Sequence, residues 1–122
     1  MNVFVELNSL LESGTHTDYP KKAIENAKQV KEWKDKYGDE VTAMTPTGWA
    51  RTNQLSKGEA ISTETVQRMA NFIRHKKNSK ISPEYKDTPW KDNGHVSWLG
   101  WGGTEGIQWA IDKIKQIKKD AE

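Results

Sequence analysis

The sequence predicts a mainly α protein: a small single-domain helical bundle of four to five helices, with a long irregular loop before a tryptophan-rich closing segment. Three observations carry this. Apolar residues recur with a period near 3.6 in several segments, the alternating runs that mark strands are scarce enough to leave room for a minor strand pair at most, and three of the six tryptophans fall between Gly94 and Ala110. A chain of 122 residues has the length for one core and not for two independent domains.

The first segment, NVFVELNSLLESG, sets Val3, Leu7, Leu10 and Leu11 on one helical stripe that Gly14 should end, although Val3–Val5 also fit the start of a strand. The polar SGTHTD that follows reads as a linker. Residues 1–18 are therefore expected to form an N-terminal acidic amphipathic helix and linker, and residues 19–122 the helical domain. Val3, Leu7, Leu10 and Leu11 are candidate partner-binding residues, because an acidic amphipathic helix suits an apolar or basic groove.

Tyr19-Pro20 opens the next helix, with Pro20 at the first helical position. Ala23, Ile24, Ala27, Val30, Trp33 and Tyr37 mark its inner face and Gly38 closes it. Its other face carries six lysines among Glu25, Glu32 and Asp35, the pattern of a solvated face. Pro46 and Gly48 then read as a turn, followed by a short helix through Trp49, Ala50, Gln54 and Leu55 that ends at Lys57-Gly58. Arg51 and Asn53 lie in it and are candidates for a structural hydrogen-bond network.

Ser62 caps a helix expected to run through STETVQRMANFIRHKK, with Glu64 in its first turn and Arg74, His75, Lys76 and Lys77 at its end, as the helix dipole favours. Val66, Met69, Ala70, Phe72 and Ile73 should face the core. Residues 78–93, with two prolines, read as an irregular surface excursion anchored by Tyr85 and Trp90.

In the closing segment GHVSWLGWGGTEGIQWA, three indoles this close together require cover from other segments, so Trp98, Trp101 and Trp109 are expected to be structural. Gly102 and Gly103 suit the stop of one helix and the start of the next. Thr104 is placed to cap that second helix and Glu105 to meet its dipole. Ile107, Ala110, Ile111, Ile114 and Ile117 then line one side of a final helix, with Lys113, Lys115, Lys118 and Lys119 on its other side and end.

The net charge of +2 is uneven: Glu6, Glu12 and Asp18 stand without a base in residues 1–18, which leaves +5 for the remainder. That bias permits weak, sequence-independent phosphate contact, with Arg74, Lys76, Lys77 and Lys80 together with Lys113 and Lys115 as candidate nucleic-acid contacts. No cysteine occurs, so disulfides and thiolate metal sites are excluded. His16, His75 and His95 have no metal-ligand spacing, and Asp87, Asp92 and His95 could meet only through the loop. No nucleophile motif is present and the carboxylates sit on charged helix faces, so the reading assigns no catalytic residue, metal or cofactor. The apolar runs are too short to cross a membrane, and the acidic N-terminus is unlike a signal peptide.

The order of YPKKAIENAKQVKEWKDKYG, TPTGWARTNQLSKGEAISTETVQRMANFIRHKKN and GHVSWLGWGGTEGIQWA resembles a small domain of unknown function encoded by tailed phages and some large DNA viruses. That domain carries a G-V-A-R-A-x-x-L-x-x-G segment, an L-S-x-E-T-V-x-R-M helix ending in an RH pair, and an A-W-L-x-W-G-G-D tail. It often lies beside or fused to head-assembly proteins. The similarity covers Tyr19 to Ile114, through Gly48, Ala50, Arg51, Leu55, Gly58, Ser62, Glu64, Thr65, Val66, Arg68, Met69, Arg74, His75, Trp98, Leu99, Trp101, Gly102, Gly103 and Trp109. The chain departs from it at Trp49 (usually Val), Thr52 (usually Ala) and Thr104 (often Asp). The resemblance implies a phage or viral structural, virion-associated protein that binds another protein, located in the virion or the host cytoplasm. The alternative is a non-specific DNA-binding accessory protein, with an enzyme a distant third.

Overall fold

The computed structural model describes residues 14–121. In order it contains strand β1 (Thr15–His16), helices α1 (Lys21–Tyr37) and α2 (Pro46–Ser56), strand β2 (Ile61–Ser62), and helices α3 (Thr63–Asn71), α4 (Asn93–Gly100) and α5 (Gly103–Ala121). Short 3-10 turns occupy Gly38–Glu40, Phe72–Ser79, Pro83–Tyr85 and Pro89–Lys91. The protein is mainly α, with five helices and one two-stranded sheet among the described residues. The stripe of Val3, Leu7, Leu10 and Leu11 lies outside the described residues.

The expected linker SGTHTD is corrected at its centre. Thr15 and His16 pair antiparallel with Ser62 and Ile61, and the Thr63 amide donates to the Gly14 carbonyl at 3.1 Å. His16 Nε2 also lies 2.8 Å from the hydroxyl of the buried Thr63. Residues 14–18 are thus fastened to the start of α3, which moves the beginning of the packed unit ahead of residue 19.

Helix α1 starts at Lys21, with Pro20 as its extended cap rather than its first helical residue, because Pro20 has ψ of 152°. Ala23, Ala27 and Val30 are buried, as the stripe requires, and Asn26 is buried with them. Pro46 and Gly48 belong to α2 and not to a preceding turn. Thr45 caps that helix by accepting from the Gly48 amide at 3.2 Å, and proline is tolerated at the first helical position because its missing N–H is unpaired there anyway.

The expected long helix from Ser62 to Lys77 stops at Asn71. Ser62 does cap it, accepting from the Thr65 amide, but the chain tightens to 3-10 from Phe72 and leaves helical angles altogether at His75. Ile73, expected in the core, is 40% exposed as a result. Phe72 provides the physical reason: its ring stacks on Trp101 at 5.5 Å, and meeting it requires the tighter turn. The basic run of Arg74, Lys76 and Lys77 therefore lies past the α-helical end instead of within its last turn.

Residues 78–93 are less loose than expected. The buried Asp92 carboxylate accepts from the Ser82 amide at 2.8 Å and from the His95 amide at 3.2 Å, closing the excursion and capping α4 at once. Trp90 stacks on Tyr37 with ring centroids 3.6 Å apart.

The core has two parts. One gathers Tyr19, Ala23, Ala27, Leu55, Ile61, Val66, Met69, Ala70, Trp101, Ala110 and Ile114; the other gathers Val30, Val41, Ala43 and Val96 with half-buried Trp33, Tyr37, Trp49, Trp90 and Leu99 around them. The heaviest packing is α3 on α5 and α1 on α2. Helices α3 and α5 run antiparallel: Met69, near the end of α3, sits against Gly102 and Gly106, whereas the start of α3 lies beside His16 and Lys113.

Candidate functional site

The turn between α4 and α5 fixes the geometry around two clefts among the described residues. Gly102 and Gly103 take φ of 108° and 68°, and the space beside Gly103 is filled by Asn26, whose Nδ2 would lie 2.1 Å from a Cβ at position 103. Asn26 Nδ2 donates to the Gly102 carbonyl and to Glu105 Oε1, both at 3.0 Å. Trp98 is 1% exposed, and its Nε1 donates to Thr104 Oγ1 at 3.1 Å. Thr104 thus serves the indole and lies within the first turn of α5, which begins at Gly103, so the expected cap is displaced. Trp101 is buried too, but Trp109 is only half-buried and meets Tyr19 edge-on at 5.6 Å.

The first cleft is an open groove of about 540 Å³ lined by Asp18, Pro20, Thr104, Glu105, Gln108, Trp109 and Asp112. Its floor is Pro20 and the Trp109 ring. Its rim is acidic, since Asp18, Glu105 and Asp112 are all exposed. Lys113 bounds one end, with its Nζ 2.6 Å from Asp18 Oδ2 and 5.9 Å from the Trp109 ring centre. The hydrogen bond from Lys113 holds the Asp18 carboxyl below its ordinary pKa. Burial, followed by the Lys113 charge, lowers the pKa of His16 on the same side.

The second cleft, about 230 Å³, is lined by Arg68, Asn71, Phe72, Arg74 and Trp101. It opens where α3 gives way to the 3-10 turn. Arg68 Nη2 donates to Glu64 Oε1 at 3.1 Å across an exposed pair, and Arg74 Nε points to His75 Nε2 at 3.2 Å.

The residues expected to contact nucleic acid do not form one surface. Arg74, Lys76, Lys77 and Lys80 follow the C-terminal end of α3, whereas Lys113 and Lys115 lie on the part of α5 beside its N-terminal end, about 13 Å away along a nine-residue helix. Lys113 is also occupied by Asp18 and only 17% exposed. On α1, Lys31 donates to Asn53 Oδ1, and Lys34 donates to the carbonyls of Gly38 and Val41, so part of that basic face ties the fold together. Arg51 donates from Nη1 to Gln54 Oε1 at 2.7 Å, while its Nε is buried with no hydrogen-bond partner among the described residues. Asp92 and His95 do meet, but through a carboxylate and a backbone amide; two amide bonds offset the burial of Asp92 and hold its pKa low.

Asn26 and Arg68 were missed as site-shaping residues. Asn26 had a signal, since a carboxamide falling at i+3 between Ala23 and Ala27 on an apolar stripe has to find buried partners. No protein-family model, no curated protein and no solved structure matches this chain.

Proposed function

We propose that the protein is a phage- or virus-encoded structural component, associated with the virion or its head assembly, that acts by binding another protein. The ordered motifs from Tyr19 to Ile114 support the viral part of this reading. The binding part rests on the groove, where an apolar floor of Pro20 and Trp109 is rimmed by Asp18, Glu105 and Asp112. A partner segment with an apolar anchor beside a lysine or arginine fits it, the anchor against the indole and the cation against the rim. A binding role also accords with the buried polar groups Asn26, Thr52, Thr63 and Asp92, each of which is engaged in internal hydrogen bonds.

The test is quantitative mass spectrometry of purified particles of the virus that encodes the chain, carrying the wild-type protein, Trp109→Ala or Asp112→Lys. The wild-type protein is expected at the abundance of a structural component, and both variants are expected to be depleted with little change in melting temperature. Absence of the wild-type protein from particles would rule out the virion reading. Undiminished incorporation of both variants would rule out the groove.

A further inference from the structure

Between Glu64 and Glu84 the chain has no acidic residue, yet it carries Arg68, Arg74, Lys76, Lys77 and Lys80. This stretch includes the end of α3, the 3-10 turn Phe72–Ser79 and the cleft beside it. Like charges gathered along one short, exposed path raise the local potential even when net charge is small. The path is also sticky: Ile73 and Ile81, the large hydrophobic residues most exposed among the described residues, both lie on it.

We propose that this cleft binds single-stranded nucleic acid, with a backbone phosphate held between the guanidinium groups of Arg68 and Arg74 and a base lying against Phe72. Two guanidiniums lining one pocket supply the forked donors that phosphate oxygens accept. The groups are free to turn: the Arg68–Glu64 pair is exposed on both sides, and such pairs exchange readily for a stronger anion. Phe72 is held in place by Trp101, which lines the cleft with it, and by the His75 ring at its edge, 5.0 Å away, so the two stacked rings offer a fixed apolar wall. Asn71 accepts from Gln67 through Oδ1, which leaves its amide N–H groups for a base edge or a sugar. Lys76, Lys77 and Lys80 then carry the strand onward.

A single strand suits this geometry better than a duplex. Reading a duplex major groove takes a protruding helix or two-stranded ribbon; α3 ends at Asn71 just where such a helix would have to continue, and the two-residue β1–β2 ladder lies at the other end of α3. A pocket that admits one planar group beside a cationic track is instead the arrangement of single-strand binders. The cleft shares no lining residue with the groove proposed above for a protein partner, and it lies at the opposite end of α3 from the Asp18–Lys113 pair.

The experiment is fluorescence anisotropy of the full chain with a labelled oligothymidylate of about fifteen nucleotides, titrated from about 50 to 200 mM salt. Binding should weaken steeply with salt. The double variant Arg68→Gln/Arg74→Gln should weaken it by about ten-fold or more and flatten the log–log slope by about 0.7, the value for one single-strand phosphate. Phe72→Leu should cost about five-fold, the lower end for loss of a stacked base. Lys113→Gln, on the other end of α3, should leave affinity unchanged, and circular dichroism should show all variants folded. The proposal is overturned by absence of binding at the lowest salt, by equal loss in Lys113→Gln, by a duplex of the same sequence binding as tightly, or by a polyglutamate peptide competing as well as unlabelled oligonucleotide.

Discussion

The Asn26 side chain fills the space that a side chain at Gly103 would need, and it hydrogen-bonds the carbonyl of Gly102 next door. One carboxamide on α1 therefore decides both what residue can stand at the α4–α5 turn and how that turn is held. Gly103→Ala should lose about 2–5 kcal/mol in urea unfolding, since a left-handed φ of 68° strains any Cβ by about 1–2 kcal/mol and overpacking adds about 1–3. Asn26→Ala should cost about 0.5–1.5 kcal/mol, the loss of one hydrogen bond to the Gly102 carbonyl, which keeps the Gly106 amide as a donor. The double variant should be less destabilised than the sum, because the clash is removed with Asn26. Strict additivity would contradict the shared cause.

The tryptophans should separate by burial. Trp98→Ala and Trp101→Ala are each expected to lose about 3–5 kcal/mol, the range for large core aromatics. Trp109→Ala, half-exposed at the groove, should lose clearly less. Equal losses at all three, measured by thermal melting with circular dichroism, would place Trp109 in the core.

Gly100 is expected to be as restrictive as the turn. A Cβ there would come within 2.7 Å of Thr52 Oγ1 and 2.8 Å of Met44 Sδ, while the Thr52 hydroxyl is itself bonded to the carbonyls of Gly48 and Gly100. Gly100→Ala should cost about 1–3 kcal/mol by forcing α2 and α4 apart. Thr52→Ala, which removes the obstructing hydroxyl, should recover part of that loss when combined with it, and double-mutant analysis of unfolding free energies is the check.

Much of this architecture was legible in the chain. The stripes of α1 and α5 and the Ser62 cap of α3 are local features, so residue spacing was enough to place them. The β1–β2 ladder was not legible, because two-residue strands carry no period and their pairing joins Thr15 to a residue far along the chain. The end of α3 at Asn71 was hidden for a related reason: Phe72 and Ile73 continue the apolar pattern, and only the position of Trp101 turns one inward and the other outward. The groove depends on Asp18, Pro20 and the first turns of α5 meeting, which no single stretch of sequence displays. The basic run was visible as composition, but its separation from Lys113 required the antiparallel packing of α3 and α5.

Acid should destabilise the protein in two stages. The folded-state pKa of His16 is lowered from its ordinary 6.5 by burial and then by Lys113, so the unfolded chain takes up the proton first and stability falls as pH drops below about 6.5 toward the folded value. The pKa values of Asp18 and Asp92 are lowered from 3.8, Asp18 by its bond to Lys113 and Asp92 by amide bonds that outweigh its burial. Their contributions are complete above 3.8 and are lost as pH falls through the folded values. Unfolding midpoints measured across pH should show the first decline flattened in His16→Gln and the second reduced in Asp92→Asn. An unchanged profile in both variants would contradict this assignment.

Asp92 should also govern how the 78–92 excursion resists attack. With its carboxylate gone in Asp92→Ala, the Ser82 and His95 amides lose their acceptor. Limited proteolysis should then cut between Asn78 and Lys91 faster than in the wild-type protein, ahead of global unfolding. Unchanged cleavage there would show that the Tyr37–Trp90 stack is sufficient to hold the segment.

Helix α5 is made after the other described helices, yet Ile107, Ala110 and Ile114 on it close the core around Met69, Ala27 and Tyr19. During synthesis, α1, α2 and α3 emerge with their inner faces uncovered, and they stay so while the 19 residues of α5 are added, roughly 1–4 s at 5–20 residues per second. The nascent chain therefore spends those seconds with Val66, Met69 and Tyr19 open to solvent, and this core closes only once α5 has followed the helices it covers.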